Sequence, residues 1–416
     1  MAGWAGSAAF ASLGALALLA SPAAAGGKVL AFLNQISGMK TVGGVHNDQK
    51  VGGASYYTNR LQTATGKVPG LWGGDFSFDE RMEHRWDMIL EAEKQWKAGS
   101  LVNIMWHACP PTQNEPCGWD GGVKSHLSAE QWTDLVTDGG ALNKVWKTRM
   151  DRIAPYLKYL EDKGVEVLWR PHHEMNQGNF WWGGRGGKGG TARLYRVTYD
   201  YLTMVKGLKN LVWTWDIQDL RFDWEEYHPG DAYFDVMALD MYSMGFTDSL
   251  YRTMLRLAGD KLIALGEVER VPSSEVLSRQ PRYAFVMAWA YLTFDGNTGP
   301  QLTEMFTAPN VLTRDEMPGW DNVTVAAAPR GRSGLAAEGL NLTMGVDRIT
   351  VPMSETTRVQ LRLSALDGNQ LRTVDAAGGR AEIPVADIKP GIYMVTAALN
   401  GKIASQRIVL NGGPRN

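Results

Sequence analysis

Between Lys28 and Trp320 short apolar runs alternate with longer stretches whose hydrophobic residues recur at three- and four-residue spacing. The runs Val42–His46, Val68–Gly73, Leu101–Trp106, Val165–Arg170, Leu211–Trp215, Phe234–Asp240, Leu262–Gly266 and Ala284–Trp289 have the length and content of buried strands. Segments such as RMEHRWDMILEAEKQWKAG and LNKVWKTRMDRIAPYLKYLEDKG between them are apolar at i, i+3 and i+4, the signature of helices laid on a sheet. Eight such units predict a (β/α)8 TIM barrel over residues 26–320. A doubly wound sheet is the competing arrangement, but no glycine-rich phosphate fingerprint follows the first run.

Past Trp320 the pattern changes. VTVAAAPRGRSGLAAEGL reads as a linker over residues 321–339, and residues 340–416 read as strands and turns without helices. LNLTMGVDRITVP, TRVQLRLSAL, GRAEIPV and GIYMVTAALNGKIASQRIVL, with DG and NG at the turns, predict a small antiparallel β-sandwich. Tyr393 is its one aromatic residue, so a stabilising or secretion-related module is expected there rather than a sugar-stacking one. At the other end, the apolar run Ala8–Ala20 followed by Ala23-Ala24-Ala25 predicts a signal peptide over residues 1–25, although no Lys or Arg precedes Lys28. A membrane anchor is the alternative, and the run is short for a span. A secreted or periplasmic protein, free of the membrane after cleavage and monomeric, is expected.

Composition narrows the partners. A net charge of −2 without a basic stripe gives no footing for nucleic acid. Sixteen tryptophans, none beyond Trp320, suit a groove that stacks flat amphipathic rings as well as a core. The two cysteines, Cys109 and Cys117, bracket a short loop; an oxidising compartment favours a bridge, and free thiols are the alternative.

In a (β/α)8 protein the chemistry gathers at the carboxyl ends of the strands. Asp75, His107, Glu174 and Glu267 stand at four of these ends, with Asp240 and Tyr242 after the sixth strand and Trp289 closing the eighth. In VEVLWRPHHEMNQGNFWWGGRGG a strand runs straight into Arg170, His172, His173 and Glu174. So many polar groups at a strand end are costly to bury unless they bond one another or a ligand. An Arg170–Glu174 ion pair is the plain structural reading. The functional one makes Glu174 a general acid whose pKa is raised by apolar neighbours and a second carboxylate. KLIALGEVERVP supplies that second group in Glu267, with Glu269 as the local alternative. Strands four and seven face each other across a barrel, which suits two carboxylates flanking one glycosidic bond. A metal-dependent hydrolase built on His107, His172, His173 and Asp75 is a rival, but adjacent strand residues face opposite ways and no HxH or HExxH occurs. A glycan-binding protein without catalysis is a second rival.

R-P-x-H-E-M-N followed by F-W-W-G resembles the signature of glycoside hydrolase family 26, the β-mannanase family of (β/α)8 retaining enzymes. VNIMWHACPPT, FDVMALDMYS, KLIALGEV and FVMAWA resemble its strands three, six, seven and eight, in order. The resemblance implies Glu174 as acid/base and Glu267 as nucleophile, with no metal or organic cofactor. It implies substrate contacts at Trp106, His107, Arg170, His173, Asn176, Trp181, Trp182, Tyr242 and Trp289, with Tyr242 hydrogen-bonded to Glu267 and Trp289 beneath the sugar. The bland readings are a core histidine at 107, a packing tyrosine at 242 and a barrel-core tryptophan at 289; Asp75 is a strand-end hydrogen-bonding residue with or without a substrate contact. The substrate implied is a β-linked polysaccharide or oligosaccharide: mannan first, β-1,3-xylan or mixed-linkage glucan otherwise. One departure stands out. The family's H-E-M-N-G-x-W-F-W-W-G is here H-E-M-N-Q-G-N-F-W-W-G, so Asn179 replaces a tryptophan that stacks the leaving-group sugar.

Overall fold

The computed structural model describes residues 27–48, 53–220, 223–325, 342–345, 347–352, 358–365, 370–399 and 402–410. The expected signal peptide lies outside them, as does most of the expected linker. Two compact units are present: one takes in the chain to Tyr195 and Leu208–Thr324, the other Arg196–Gly207 and the chain from Val325.

The first unit is a closed parallel barrel. Its strands are β1 (Thr41–His46), β2 (Leu71–Asp75), β3 (Leu101–Met105), β4 (Val167–Arg170), β5 (Leu211–Gln218), β6 (Val236–Met241), β7 (Leu262–Val268) and β8 (Tyr283–Ala288). Each pairs with the next, and β8 and β2 both pair with β1, so no edge is left among the eight. A two-residue strand, Val311–Leu312, adds in parallel to β1. The apolar runs are buried on both faces, as parallel strands under a helical layer must be. The helical layer includes α1 (Gly27–Ile36), α2 (Tyr56–Thr65), α3 (Arg85–Lys97), α4 (Ala129–Val136), α5 (Ala141–Asp162), α6 (Asp248–Ala258) and α7 (Ser274–Arg279). The first turn of α1 is tied down by a distant carboxylate: Lys28 and Val29 donate their backbone N–H groups to Glu166 at 2.9 and 2.7 Å.

Three expectations shift. The second strand starts at Leu71, not Val68, because Pro69 has no N–H to give a ladder. Asp75 thereby becomes its last residue rather than a loop residue. The seventh strand runs on through Glu267 to Val268, with register irregularities beside Asp240 and between Leu265 and Val268 that turn the Glu267 side chain inward. Between β5 and β6 the described residues hold only two 3-10 turns, Trp224–Tyr227 and Asp231–Tyr233, in place of a helix. Pro229 and Gly230 interrupt any 3.6-residue pattern there.

The second unit carries two antiparallel sheets. Thr343–Met344, Arg348–Pro352 and Arg380–Pro384 make one; Gln370–Ala377, Arg358–Ala365, Gly391–Leu399 and Lys402–Leu410 make the other, in that spatial order. Alternate residues Val359, Leu361 and Leu363 join Ile349, Val351, Ile383 and Val395 in one apolar core, the period-two pattern expected of a sandwich.

Candidate active site

The carboxyl end of the barrel collects a chain of buried charge. Arg170, the last residue of β4, is wholly buried, and it does not pair with Glu174. Its Nε donates to Asp216 of β5, and one terminal nitrogen donates to both oxygens of Asp240 of β6 at 2.8 and 2.9 Å and to Glu267 Oε1 of β7 at 3.1 Å. Four neighbouring strands thus meet on one guanidinium, whose planar fork suits several carboxylates at once. Gly266 makes room for this: a Cβ there would come within 2.6 Å of Asp240 Oδ1 and 2.8 Å of Asp216 Oδ2.

Glu267 takes a second donor on its other oxygen, the Tyr242 hydroxyl at 2.6 Å. Tyr242 is fixed in turn by Asp219, whose carboxylate accepts the backbone N–H groups of Tyr242, Ser243 and Met244. Glu174 lies opposite. One carboxylate oxygen each of Glu174, Asp240 and Glu267 falls within 4.8 Å of the other two. Glu174 has a φ of +50°, a left-handed conformation that costs a residue with a Cβ about 1–2 kcal/mol and tends to collect at functional positions. Its Oε2 accepts from the side-chain amide of Gln177.

Burial sorts the two carboxyls. It pushes Glu174 well above the usual range, and the charge of Glu267 pushes it further. Glu267 is raised too by burial, but Arg170 and the Tyr242 hydrogen bond both favour its ionised form. One proton shared between them therefore resides on Glu174.

A ring of histidine and tryptophan completes the cavity. Asp75 accepts His107 Nδ1–H at 2.6 Å and the His107 backbone N–H at 3.0 Å, which fixes the ring; burial would raise this carboxyl, but the charge and hydrogen bond of His107 hold it well below the ordinary range. His107 and His173 meet edge to face at 4.5 Å. Burial lowers the His173 pKa well below its usual value, and that of His172 to about 3. Trp289 is half-buried and lies flat on His46, rings 4.2 Å apart, with the His46 pKa lowered to about 3 by burial. Trp182 and Trp181 donate to the carbonyls of His173 and Ala108 at 2.9 and 2.7 Å. Asn176 exchanges hydrogen bonds with the backbone of Gln218, both at 2.8 Å, pinning the loop after Glu174 to β5. Trp106 is wholly buried against Trp146. Arg170, Asn176, Trp181 and Trp182 thus spend polar groups on the protein itself and Trp106 packs on Trp146, whereas Tyr242 bonds Glu267 and the rings of His173 and Trp289 both meet His107. Glu269, the alternative carboxylate, has its backbone carbonyl held by Asn297 and stands outside the cluster.

Four members escaped the sequence reading: Asp216, Asp219, His46 and Trp119. Trp119 is 37% exposed and 5.4 Å from His107, just beyond the loop closed by the Cys109–Cys117 disulfide, whose Cα atoms are 5.9 Å apart. The signal available for Asp216 was a carboxylate inside an otherwise apolar strand, WTWDIQ. Among the described residues the histidines and Asp75 do not bring their donor atoms into a metal-sized group; the one such group is Glu174, Asp240 and Glu267, and the Arg170 cation already spans two of its members.

A closed (β/α)8 barrel with a buried carboxylate pair opposed at the ends of β4 and β7 is the architecture of two-carboxylate glycosidase-type sites. The family model for glycosyl hydrolase family 26 matches residues 20–316, and the chain belongs to that family. It is similar to a mannan endo-1,4-beta-mannosidase of Thermothelomyces thermophilus, 30% identical over 70% of this chain and 61% of that protein. It is also similar to one from Bacillus subtilis, 31% identical over 48% of this chain and 58% of that protein. The chain spans roughly half to three fifths of the length of the curated relatives it matches. Among solved structures, GH26A from Muricauda sp. superposes with a TM-score of 0.68 at 31% identity, covering 71% of this chain and 99% of that one. The Podospora anserina GH26-CBM35 beta-(1,4)-mannanase gives 0.60 at 29%, covering 70% and 66%.

Proposed function

We propose that the chain is a retaining glycoside hydrolase that cleaves internal linkages of a β-1,4-mannan, with Glu267 as nucleophile and Glu174 as acid/base. The observation that carries this is the opposed pair itself. Its oxygens approach within 4.8 Å, in keeping with the roughly 5–5.5 Å carboxyl spacing of retaining enzymes rather than the wider gap that leaves room for a water. One member is built to hold a proton, the other to remain charged.

In the first step Glu267 attacks the anomeric carbon while Glu174 gives its proton to the departing oxygen. Glu174, now a base, takes a proton from the water that releases the sugar, with net retention. His107 and His173 offer hydrogen bonds to the sugar hydroxyls, and Trp289, backed by His46, is the stacking floor. Arg170 orients and charges Glu267 from below without touching sugar. No metal or organic cofactor takes part. The curated relatives are mannan endo-1,4-beta-mannosidases, which favours mannan. Asn179 is exposed where the family pattern has tryptophan, so β-1,3-xylan and mixed-linkage glucan are the comparison substrates. Export to an oxidising compartment, supported by the disulfide, and a monomeric protein free of nucleic acid and membrane complete the reading. We assign residues 340–416 a stabilising or secretion-related role.

Product analysis on the three polysaccharides tests it. Mannan is expected to give oligosaccharides from internal cleavage, and NMR of the first product should show a β anomer. An initial α anomer overturns the roles of the two carboxylates. The pH profile should be bell-shaped, its acid limb set by ionisation of Glu267 and its alkaline limb by loss of the proton from Glu174. Tyr242→Phe removes a donor to ionised Glu267. We expect kcat to fall roughly ten- to hundred-fold, the range of one hydrogen bond to a charged group. The acid limb should move to higher pH, because an unsupported carboxylate holds its proton more tightly. An unmoved acid limb would assign that limb elsewhere.

A further inference from the structure

Gln177 is 4% exposed and stands where the family pattern has glycine, so its side chain is a feature of this chain. That side chain spans the turn after β4. Its Nε2 donates to Glu174 Oε2, its Oε1 accepts the Asn179 backbone N–H at 3.1 Å, and its own N–H donates to the Glu174 carbonyl at 3.1 Å. Both ends of the amide are occupied, and the donor end meets only one of the two carboxyl oxygens.

A protonated carboxyl has a carbonyl oxygen, the better acceptor, and a hydroxyl oxygen that carries the hydrogen. An amide N–H directed at Oε2 therefore selects Oε1 as the site of the proton. We infer that Gln177 is a positioning residue for the acid/base: it holds Glu174 Oε2 so that the acidic proton sits on Oε1, toward the leaving oxygen. The inference rests on the two-carboxylate reading above. In the first step the Oε1 proton passes to the glycosidic oxygen as the C–O bond breaks and the Glu267–carbon bond forms. The alcohol departs neutral, and the new charge on Glu174 is met by the Gln177 amide. The groups facing Glu174 are Glu267 and Tyr242, Asp240, Asp216 and Arg170. Against the three acidic neighbours, Gln177 is a neutral donor that favours the carboxylate in place as well as in charge. The same amide ties the loop at Asn179, where the leaving-group side lacks its tryptophan.

The test measures kcat/KM for aryl β-mannobiosides across a wide range of leaving-group acidity, with pH profiles. It compares the parent with Gln177→Gly, Gln177→Met and Glu174→Ala. Gln177→Gly restores the family's residue; Gln177→Met keeps the length of the side chain and loses the donor. For both Gln177 variants, substrates with poor leaving groups should lose roughly ten-fold or more, while a dinitrophenyl substrate stays within about two-fold. The alkaline limb should rise by about one pH unit, since a donor to the charged form is gone. Equal losses across all leaving groups with an unmoved alkaline limb overturn the role of Gln177. If Glu174→Ala also shows no dependence on leaving group, the two-carboxylate reading itself falls. If Glu174→Ala shows it and the Gln177 variants do not, only the present inference falls.

Discussion

Glu267→Ala is expected to lower kcat on the order of 10⁴-fold or more, the scale on which deletion of a covalent nucleophile acts, while oligosaccharide binding survives. The side chain is 3% exposed and bonded at both oxygens, so no neighbouring carboxylate is free to replace it: Asp240 is held by Arg170 through both of its own oxygens. The variant should also change Glu174. The charge of Glu267 is the largest electrostatic contribution raising the Glu174 pKa, and its removal should bring that pKa down toward the ordinary range. Added azide separates this from general damage. Azide in the space vacated by Glu267 attacks the anomeric carbon directly and yields an inverted glycosyl azide. In Glu174→Ala it instead attacks the covalent intermediate and yields the retained product. Rescue with the stereochemistry exchanged between the two variants would reverse the assigned roles.

The strands were legible because a parallel barrel buries both faces of each, which leaves uninterrupted apolar runs; most bounds moved by one to three residues, and those near Pro69 and Glu267 bear on the site. The missing helix between β5 and β6 was signalled by Pro229 and Gly230, but strand-helix alternation elsewhere hid it. Glu174 and Glu267 stood out as single acidic residues at strand ends. Of their support, the Tyr242 hydrogen bond to Glu267 was expected and the charge network around Arg170 was not. Arg170 gathers Asp216, Asp240 and Glu267, which are 46, 70 and 97 residues away along the chain, and closure of the barrel alone brings them together. The Arg170–Glu174 ion pair was suggested by nearness in sequence, whereas the guanidinium is taken by carboxylates of the next three strands and Glu174 leaves the strand end in a left-handed conformation. His46 was invisible for a similar reason, since its role is to lie under a tryptophan 243 residues later, and only the structure stacks them.

The guanidinium at the centre of this arrangement leads to the largest expected effect on stability. Arg170→Met keeps the volume and removes the charge, leaving Asp216, Asp240 and Glu267 buried without their cation. Breaking a buried charge network on one side costs about 3–5 kcal/mol, because the partners stay desolvated and unpaired. The deficit should depend on pH with a definite sign. Asp240 already has a folded-state pKa well above its usual value through burial, with Arg170 as the opposing influence; without Arg170 it and Glu267 rise further. A carboxyl whose pKa is higher in the folded chain than in the unfolded one leaves the folded state unburdened below the unfolded value of about 4. Stability is then lost as pH climbs toward the folded value. Urea unfolding of the barrel at pH 5 and pH 8 should therefore show a larger loss at the higher pH. An equal loss at both would mean that Arg170 acts by packing alone, as would a kcat profile whose acid limb stays where it is in the parent. If the charge is what matters, Glu267 binds its proton more tightly in the variant, and that limb moves up together with the stability deficit.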